Sequence, residues 1–83
     1  MIKFKDFIPC LTDYADEYNF IQIYECNDKI YADLLYEGDV FLMTDKLDAY
    51  MNWNFHSLNI DVNGDKNINE GLPFLVLYIE KDD

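Results

Sequence analysis

Residues 73–81, PFLVLYIEK, decide the fold because apolar side chains occupy consecutive positions there rather than alternate ones. A strand that is buried on both faces of a sheet needs apolar side chains on both of its faces. Pro73 precedes the apolar run, where its missing N–H removes no hydrogen bond between strands. This stretch therefore predicts a central strand.

The stretch before it, residues 56–62, HSLNIDV, alternates between apolar and polar residues. Leu58, Ile60 and Val62 fall on one face of such a strand, and polar side chains fall on the other. This pattern is typical of a half-buried antiparallel strand.

Two further runs rich in β-formers, residues 20–26 (FIQIYEC) and 29–36 (KIYADLLY), flank Asn27 and Asp28. Both of these residues tolerate positive φ, so the runs predict a tight hairpin. Alternation in the second run places four residues on one face, namely Ile30, Ala32, Leu34 and Tyr36. We expect residues 37–39, EGD, to break this strand at Gly38.

Residues 5–18, KDFIPCLTDYADEY, predict a first helix with Asp6 as its N-cap and Pro9 in its first turn. Its buried stripe recurs at helical spacing and comprises Phe7, Leu11, Tyr14 and Tyr18. Residues 40–53, VFLMTDKLDAYMNW, predict a second, short helix that Thr44 caps. The apolar side of that helix comprises Leu47, Tyr50 and Met51.

The elements together predict an α+β fold over a single domain, residues 1–83, in the order α-β-β-α-β-β. An antiparallel sheet of about four strands would pack against the two helices. The expected core comprises Phe7, Leu11, Ile21, Ile23, Leu34, Leu47, Met51, Leu58, Ile60, Val76 and Leu77.

The charge of the chain narrows the classes of function. The 83 residues include 17 acidic residues, 6 lysines and no arginine, for a formal charge of -11. Such a surface repels nucleic acid and anionic membranes and attracts a basic partner. Without arginine the chain lacks the bidentate fork that recognises phosphates.

The start of the chain, residues 1–10, lacks the apolar core of a signal peptide, and no segment is long enough to span a membrane. We therefore expect a cytoplasmic protein. Cys10 and Cys26 have no CxxC spacing, so they indicate neither a zinc nor a redox site. We expect them to be reduced, packed thiols.

Residues 61–72, DVNGDKNINEGL, resemble the calcium loop of dockerin repeats and EF-hands in their alternating oxygen ligands. Such a loop needs glycine at position 6 and a bidentate acidic side chain at position 12, where this chain has Lys66 and Leu72. Strands rather than a helix flank the stretch. We therefore predict a polar hairpin turn and no metal site, with a calcium-dependent structural module as an alternative.

Catalytic patterns are weak in this chain. His56 has no orienting partner in the sequence, and carboxylate pairs such as Asp45 with Asp48 arise by chance in so acidic a chain. No nucleophile elbow or glycine-rich phosphate loop appears. We expect no enzyme, no catalytic residue and no cofactor.

Acidic residues accompany tyrosines along much of the chain, and aromatic residues are enriched at protein interfaces. The candidate partner-binding residues are Tyr36, Glu37, Asp39, Asp45, Asp48, Tyr50, Asp13, Asp16 and Glu17. Their carboxylates could occupy the sites where the lysines and arginines of a nuclease bind phosphates. The plainer interpretation is a soluble acidic surface whose tyrosines are half-buried in the core.

Three stretches carry a resemblance: FIQIYECNDKIYADLLYEGDV (20–40), DKLDAYMNWNFHSLNI (45–60) and LVLYIEKDD (75–83). Together they resemble small acidic proteins of phages and prophages of low-GC Gram-positive bacteria. Those proteins are similar in size and charge to anti-CRISPR proteins, several of which act as nucleic-acid mimics. The resemblance implies no catalytic residues.

The first hypothesis is therefore an anti-CRISPR type of inhibitor that binds the basic nucleic-acid-binding groove of a CRISPR–Cas effector, with no direct contact to nucleic acid. The second is an immunity protein or antitoxin that neutralises a basic nuclease, and a phage protein of no inhibitory role is a further alternative. The sequence leaves open the target, the binding face, the oligomeric state and the choice between mimicry and allosteric inhibition.

Overall fold

A computed structural model of the chain describes residues 2–14, 17–26, 32–62 and 71–81. These residues form a small compact α+β domain, as the sequence predicted, with a radius of gyration of 12.4 Å. The helix and strands are α1 (Phe4–Tyr14), β1 (Phe20–Glu25), β2 (Asp33–Asp39), β3 (Asn54–Asp61) and β4 (Phe74–Glu80). Two short 3-10 helices, Val40–Asp45 and Asp48–Tyr50, lie between β2 and β3.

The four strands form one sheet in the order β2-β1-β4-β3. β1 pairs with β2 and β3 pairs with β4 in antiparallel fashion, but the two inner strands, β1 and β4, run parallel. The sheet is therefore mixed, and the prediction of a wholly antiparallel sheet is wrong. Because β2 and β3 also run in the same direction, the chain between them must return along the sheet, and residues 40–53 supply that crossover.

β4 is an inner strand, as its consecutive apolar residues predicted. Its buried side chains are Phe74, Leu75, Val76, Leu77 and Ile79. On the face that we call the core face, Leu77 lies opposite Ile23 of β1 and opposite Leu58 of β3.

The core face is covered by α1 and by the crossover. Phe4 and Leu11 of α1 and Leu47 of the crossover are fully buried in one cluster with the inner strands. Phe7 stacks on Phe55 of β3 with ring centroids 4.1 Å apart. The helix and the crossover therefore lie on the same side of the sheet.

α1 begins at Phe4, so the prediction that Asp6 caps it and that Pro9 occupies its first turn is wrong. Backbone carbonyls of the crossover replace a side-chain cap. The Phe4 amide donates to the Trp53 carbonyl over 2.7 Å, and the Lys5 amide donates to Met51 over 3.1 Å. These contacts satisfy amides of the first helical turn, which otherwise need a cap.

The predicted stripe of α1 is confirmed in part. Leu11 is buried and Phe7 is half-buried, whereas Tyr18 lies beyond the end of the helix and packs against the core from there. The Tyr14 side chain falls outside the described part of the chain. Phe4, which the sequence argument missed, extends the stripe by one turn.

The second predicted helix is replaced by the two 3-10 helices, and Thr44 lies inside the first of them rather than before a helix. The crossover must span the length of the strands with few residues. A 3-10 helix rises about 2.0 Å per residue against about 1.5 Å for an α-helix, so it covers that distance with fewer residues. Leu47, between the two, is buried as predicted.

β2 carries a bulge that the sequence did not reveal. Ile23 lies opposite Tyr36, but the next residue, Tyr24, lies opposite Leu34, so Leu35 is the extra residue. Leu34 and Tyr36 therefore occupy opposite faces, and their predicted common face is wrong. The strand also continues through Gly38 to Asp39 instead of breaking there.

The predicted core is largely confirmed. Leu11, Ile21, Ile23, Leu47, Val76 and Leu77 are buried, and Phe7, Met51 and Leu58 pack against the buried cluster. The predictions for Leu34 and Ile60 are wrong, since these residues are 50% and 51% exposed. The bulge turns Leu34 away from the core face, and Ile60 lies on the edge strand β3. The buried residues that were missed are Phe4, Val40, Phe74, Leu75 and Ile79.

Both cysteines are free, but Cys10 is exposed, so it is not the packed thiol we expected, while Cys26 is half-buried. β3 ends at Asp61 and β4 begins at Phe74, so strands flank the calcium-like stretch, as expected. Its central residues, 63–70, and the hairpin turn at Asn27 and Asp28 lie outside the described residues.

In the described part of the chain, α1 is the longest helix, and no helix has the length and apolar character required to cross a bilayer.

Candidate protein-binding surface

The face of the sheet opposite the core face, which we call the tyrosine face, consists of three rows of side chains running across the strands. In the order β2, β1, β4, β3, these rows are Asp39–Phe20–Phe74–Asp61, Glu37–Gln22–Val76–Asn59 and Leu34–Tyr24–Tyr78–Ser57. The described helices pack on the other side of the sheet. The tyrosine face therefore carries inner-strand aromatic residues between polar and acidic edges, and at its centre Gln22, Phe74 and Val76 are buried.

Aromatic pairs occupy the centre of this face. Tyr24 stacks on Tyr78 with ring centroids 5.6 Å apart and an interplanar angle of 23°. Phe20 meets Phe74 edge to face at 5.9 Å. Phe74 is buried, whereas Tyr24 and Tyr78 are half-buried. The tyrosine stack is therefore the accessible aromatic part of the face.

A hydrogen-bonded chain joins the centre of the face to its edge. The Gln22 side chain is buried, at 7% exposure, and its Nε2 donates to Oε2 of Glu37 over 2.7 Å. The Tyr24 hydroxyl donates to Gln22 Oε1 over 2.9 Å. A buried amide needs such partners, and here they fix the exposed Glu37 carboxylate beside the tyrosine stack.

The charge on the sheet has one sign. The charged residues of the four strands are all acidic: Glu25, Asp33, Glu37, Asp39, Asp61 and Glu80. Burial raises the pKa of Tyr24 above its usual value, and the neighbouring Tyr78, Glu37 and Asp61 raise it further. The negative charges of both edges therefore act on the centre of the tyrosine face.

Two of the predicted binding residues lie on the tyrosine face. Glu37 is exposed and Asp39 is half-buried, both on the outer strand β2. Tyr36 instead points to the core face, where it packs against the core. Its hydroxyl donates to the Asp39 carbonyl over 2.7 Å, and burial followed by the charge of Asp39 raises its pKa.

The other predicted residues lie away from that face. Asp45 and Asp48 are exposed on the crossover, on the far side of the sheet. Tyr50 packs edge to face on Trp53 at 4.8 Å and is half-buried. Asp13 and Glu17, at and beyond the end of α1, are exposed, and Asp16 lies outside the described residues. The structure thus divides the predicted set between two sides of the sheet.

Sequence reasoning did not name Tyr24, Tyr78 or Asp61 as candidate binding residues. Tyr24 stands in a run that predicted a strand of a hairpin, and Tyr78 stands in the run that predicted a central strand. Asp61, although on the polar face of its predicted strand, was assigned to the calcium-like stretch. The available signal was alternation: Gln22 and Tyr24 are offset by one position from Ile21 and Ile23, so they face the opposite side.

Potential metal ligands do not cluster among the described residues. Within residues 2–14, 17–26, 32–62 and 71–81, no group of three or more His, Cys, Asp and Glu side chains is arranged to hold a metal ion. His56 is exposed, with Nδ1 lying 3.2 Å from the hydroxyl of Ser57.

Comparisons with protein-family models, with curated proteins and with solved structures gave no match. The resemblance to small acidic phage proteins therefore stays a prediction.

Proposed function

We propose that this chain is a non-enzymatic inhibitor that binds the basic nucleic-acid-binding groove of a partner protein and so excludes the nucleic acid. The observation that supports this most directly is the charge: -11 on 83 residues, without arginine. On the described strands every charged side chain is acidic. A basic groove attracts such a molecule at long range, and electrostatic attraction of this kind raises association rates.

The spacing of the acidic edges is compatible with mimicry. Glu37 and Asp39 on β2 and Asp61 on β3 stand on the two outer strands, with two inner strands between them. Neighbouring strands are about 4.8 Å apart, so the two edges are separated by roughly 14 Å. That distance is close to the roughly 12 Å width of a DNA major groove, whose walls carry the phosphates.

The target class follows from the resemblance to small acidic phage proteins, and we take it to be a CRISPR–Cas effector in the cytoplasm of the host cell. The lysines and arginines that hold the guide heteroduplex and the target DNA in such effectors line a positively charged channel. A rigid acidic sheet that enters this channel would compete with the DNA without needing a catalytic residue.

The experiment is a cleavage assay on a panel of purified, guide-loaded CRISPR effectors with and without the full chain. We expect at least one effector to lose cleavage at near-stoichiometric inhibitor, and preincubation with target DNA should protect it. Uninhibited cleavage by every effector would remove this target class. Inhibition of a purified basic nuclease instead would support the immunity-protein alternative.

A further inference from the structure

We propose that the tyrosine face, and not the crossover, is the docking surface, and that its occupant is a lysine- or arginine-bearing surface of the partner protein. One cationic side chain would lie on the Tyr24–Tyr78 stack beside Glu37, with Asp61 at the opposite edge of the face. This inference rests on the proposed function for the nature of the partner, but it makes its own claim about which face binds.

Charge complementarity favours a basic occupant. The rows of the tyrosine face carry carboxylates at Glu37, Asp39 and Asp61 and no lysine. The crossover on the other side carries Lys46 beside Asp45, so its charge is mixed. Of the described side chains, those in the rows of the tyrosine face therefore present only negative charge to a cationic surface, whereas those of the crossover present both signs.

The arrangement of polarity on this face resembles that of a protein interface, with an aromatic centre and a polar rim. The tyrosine rings expose a π-surface that attracts an ammonium or guanidinium group. Leu34, half exposed beside Tyr24, adds apolar area that can cover the methylene stem of a lysine or arginine.

The face is also rigid before binding. Gln22 is held between the Tyr24 hydroxyl and the Glu37 carboxylate, and all three stand on paired strands. A carboxylate that is already oriented loses little freedom when it meets a cation, and this lowers the cost of association. By contrast, Asp48 of the crossover is an exposed residue of a 3-10 helix of three residues.

In the test, the isotopically labelled full chain is titrated with hexa-arginine and, separately, with hexalysine. NMR records the chemical-shift change of each residue. We expect saturable shifts centred on Tyr24, Glu37, Tyr78 and Asp61. Shifts centred on the crossover, or the absence of saturable shifts, would overturn the inference.

Matched variants sharpen the comparison. Glu37→Gln with Asp61→Asn and Asp45→Asn with Asp48→Asn change the net charge equally. We expect the first pair to weaken hexa-arginine binding about fivefold and the second pair to weaken it less than about twofold, since two exposed ion pairs are lost only in the first. Equal weakening by both pairs would show that net charge alone governs binding.

A second pair of variants keeps the inference testable if the variant with Glu37→Gln and Asp61→Asn fails to fold. Asn59→Lys adds a positive charge to an exposed position of the tyrosine face, and Ala49→Lys adds one to an exposed position of the crossover. The first should weaken binding more than the second, and the reverse order would contradict the inference. An effector that the chain inhibits through the crossover would refute this inference and leave the proposed function standing. Peptide binding on the tyrosine face without inhibition of any effector would support this inference and refute the proposed function.

Discussion

Gly38→Ala tests the geometry that places Glu37 and Asp39 on the edge of the tyrosine face. Gly38 has φ +154°, a backbone conformation that residues with a side chain rarely adopt. An added Cβ would also come within 3.0 Å of the Tyr36 hydroxyl oxygen and 3.3 Å of the ring carbon that carries it. Tyr36 would have to move away from the Asp39 carbonyl that its hydroxyl contacts.

The cost follows from these terms. Backbone strain of this kind amounts to about 1–3 kcal/mol, and loss of the hydrogen bond adds about 0.5–1.5 kcal/mol. The lower entropy of the unfolded alanine chain offsets about 0.4–1 kcal/mol. We therefore expect a net loss of about 0.5–4 kcal/mol in the free energy of unfolding, measured by urea denaturation followed by circular dichroism.

Tyr36→Phe is the matched partner variant, because it removes the nearest atom to the new Cβ. In that background Gly38→Ala should cost less than it does alone, so the two changes should be non-additive. A loss below about 0.5 kcal/mol for Gly38→Ala, or strict additivity, would show that the strand does not follow this path at Gly38.

Three further predictions concern the core, the tyrosines and calcium. Leu77→Ala removes a fully buried side chain of an inner strand and should cost about 2–5 kcal/mol, whereas the half-exposed Ile60→Ala should cost less than about 1 kcal/mol; equal costs in urea denaturation would contradict the register of the sheet. Burial and then neighbouring charges, including Glu37, hold the pKa of Tyr24 above the usual 10.0. Glu37→Gln should therefore lower the pKa of Tyr24 in an ultraviolet titration, in which Tyr24→Phe identifies the Tyr24 signal. Since a raised folded pKa favours the neutral phenol, its stabilising contribution is present below pH 10 and is lost as the pH rises above it; Tyr24→Phe should reduce the alkaline loss of stability, and an unchanged loss would argue against the shift. The melting temperature should not respond to calcium, and a rise of several degrees would show that residues 61–72 bind the ion in the native state.

The sequence could predict the elements that depend on local pattern. Successive side chains of a strand point to opposite faces, so the consecutive apolar residues of β4 indicated a strand buried on both faces. The runs at 20–26 and 29–36, on either side of a short turn, indicated paired strands. It could not predict that β1 and β4 run parallel. That pairing joins residues distant in the chain, and it depends on the path of the crossover across the sheet.

Tertiary contacts also decided the details that local rules missed. The start of α1 is set by the carbonyls of Met51 and Trp53, so no capping residue was needed at Asp6. The bulge at Leu35 reversed the face of Leu34, and no glycine or proline at that position indicated it in the sequence.

In the candidate site too, local pattern predicted some residues, and tertiary contacts decided the others. Glu37 and Asp39 could be predicted as surface residues because acidic side chains of an edge strand are rarely buried. Alternation places Tyr24 and Tyr78 on the face opposite Ile23 and Leu77, but it could not show which of the two faces the helices cover. That choice depends on the crossover, which passes over the core face only.

The most direct test of the central claim is the binding of the full chain to a purified, guide-loaded CRISPR effector that it inhibits, measured as an association rate at rising salt and in the presence of target DNA. If the acidic chain occupies the basic groove, the rate should fall about tenfold or more between about 50 mM and about 300 mM salt, because the Debye length shortens and screens the attraction. Target DNA should compete for the same groove. A rate that is insensitive to salt, in a complex that also holds bound DNA, would contradict mimicry and indicate an allosteric or dimerisation-blocking inhibitor.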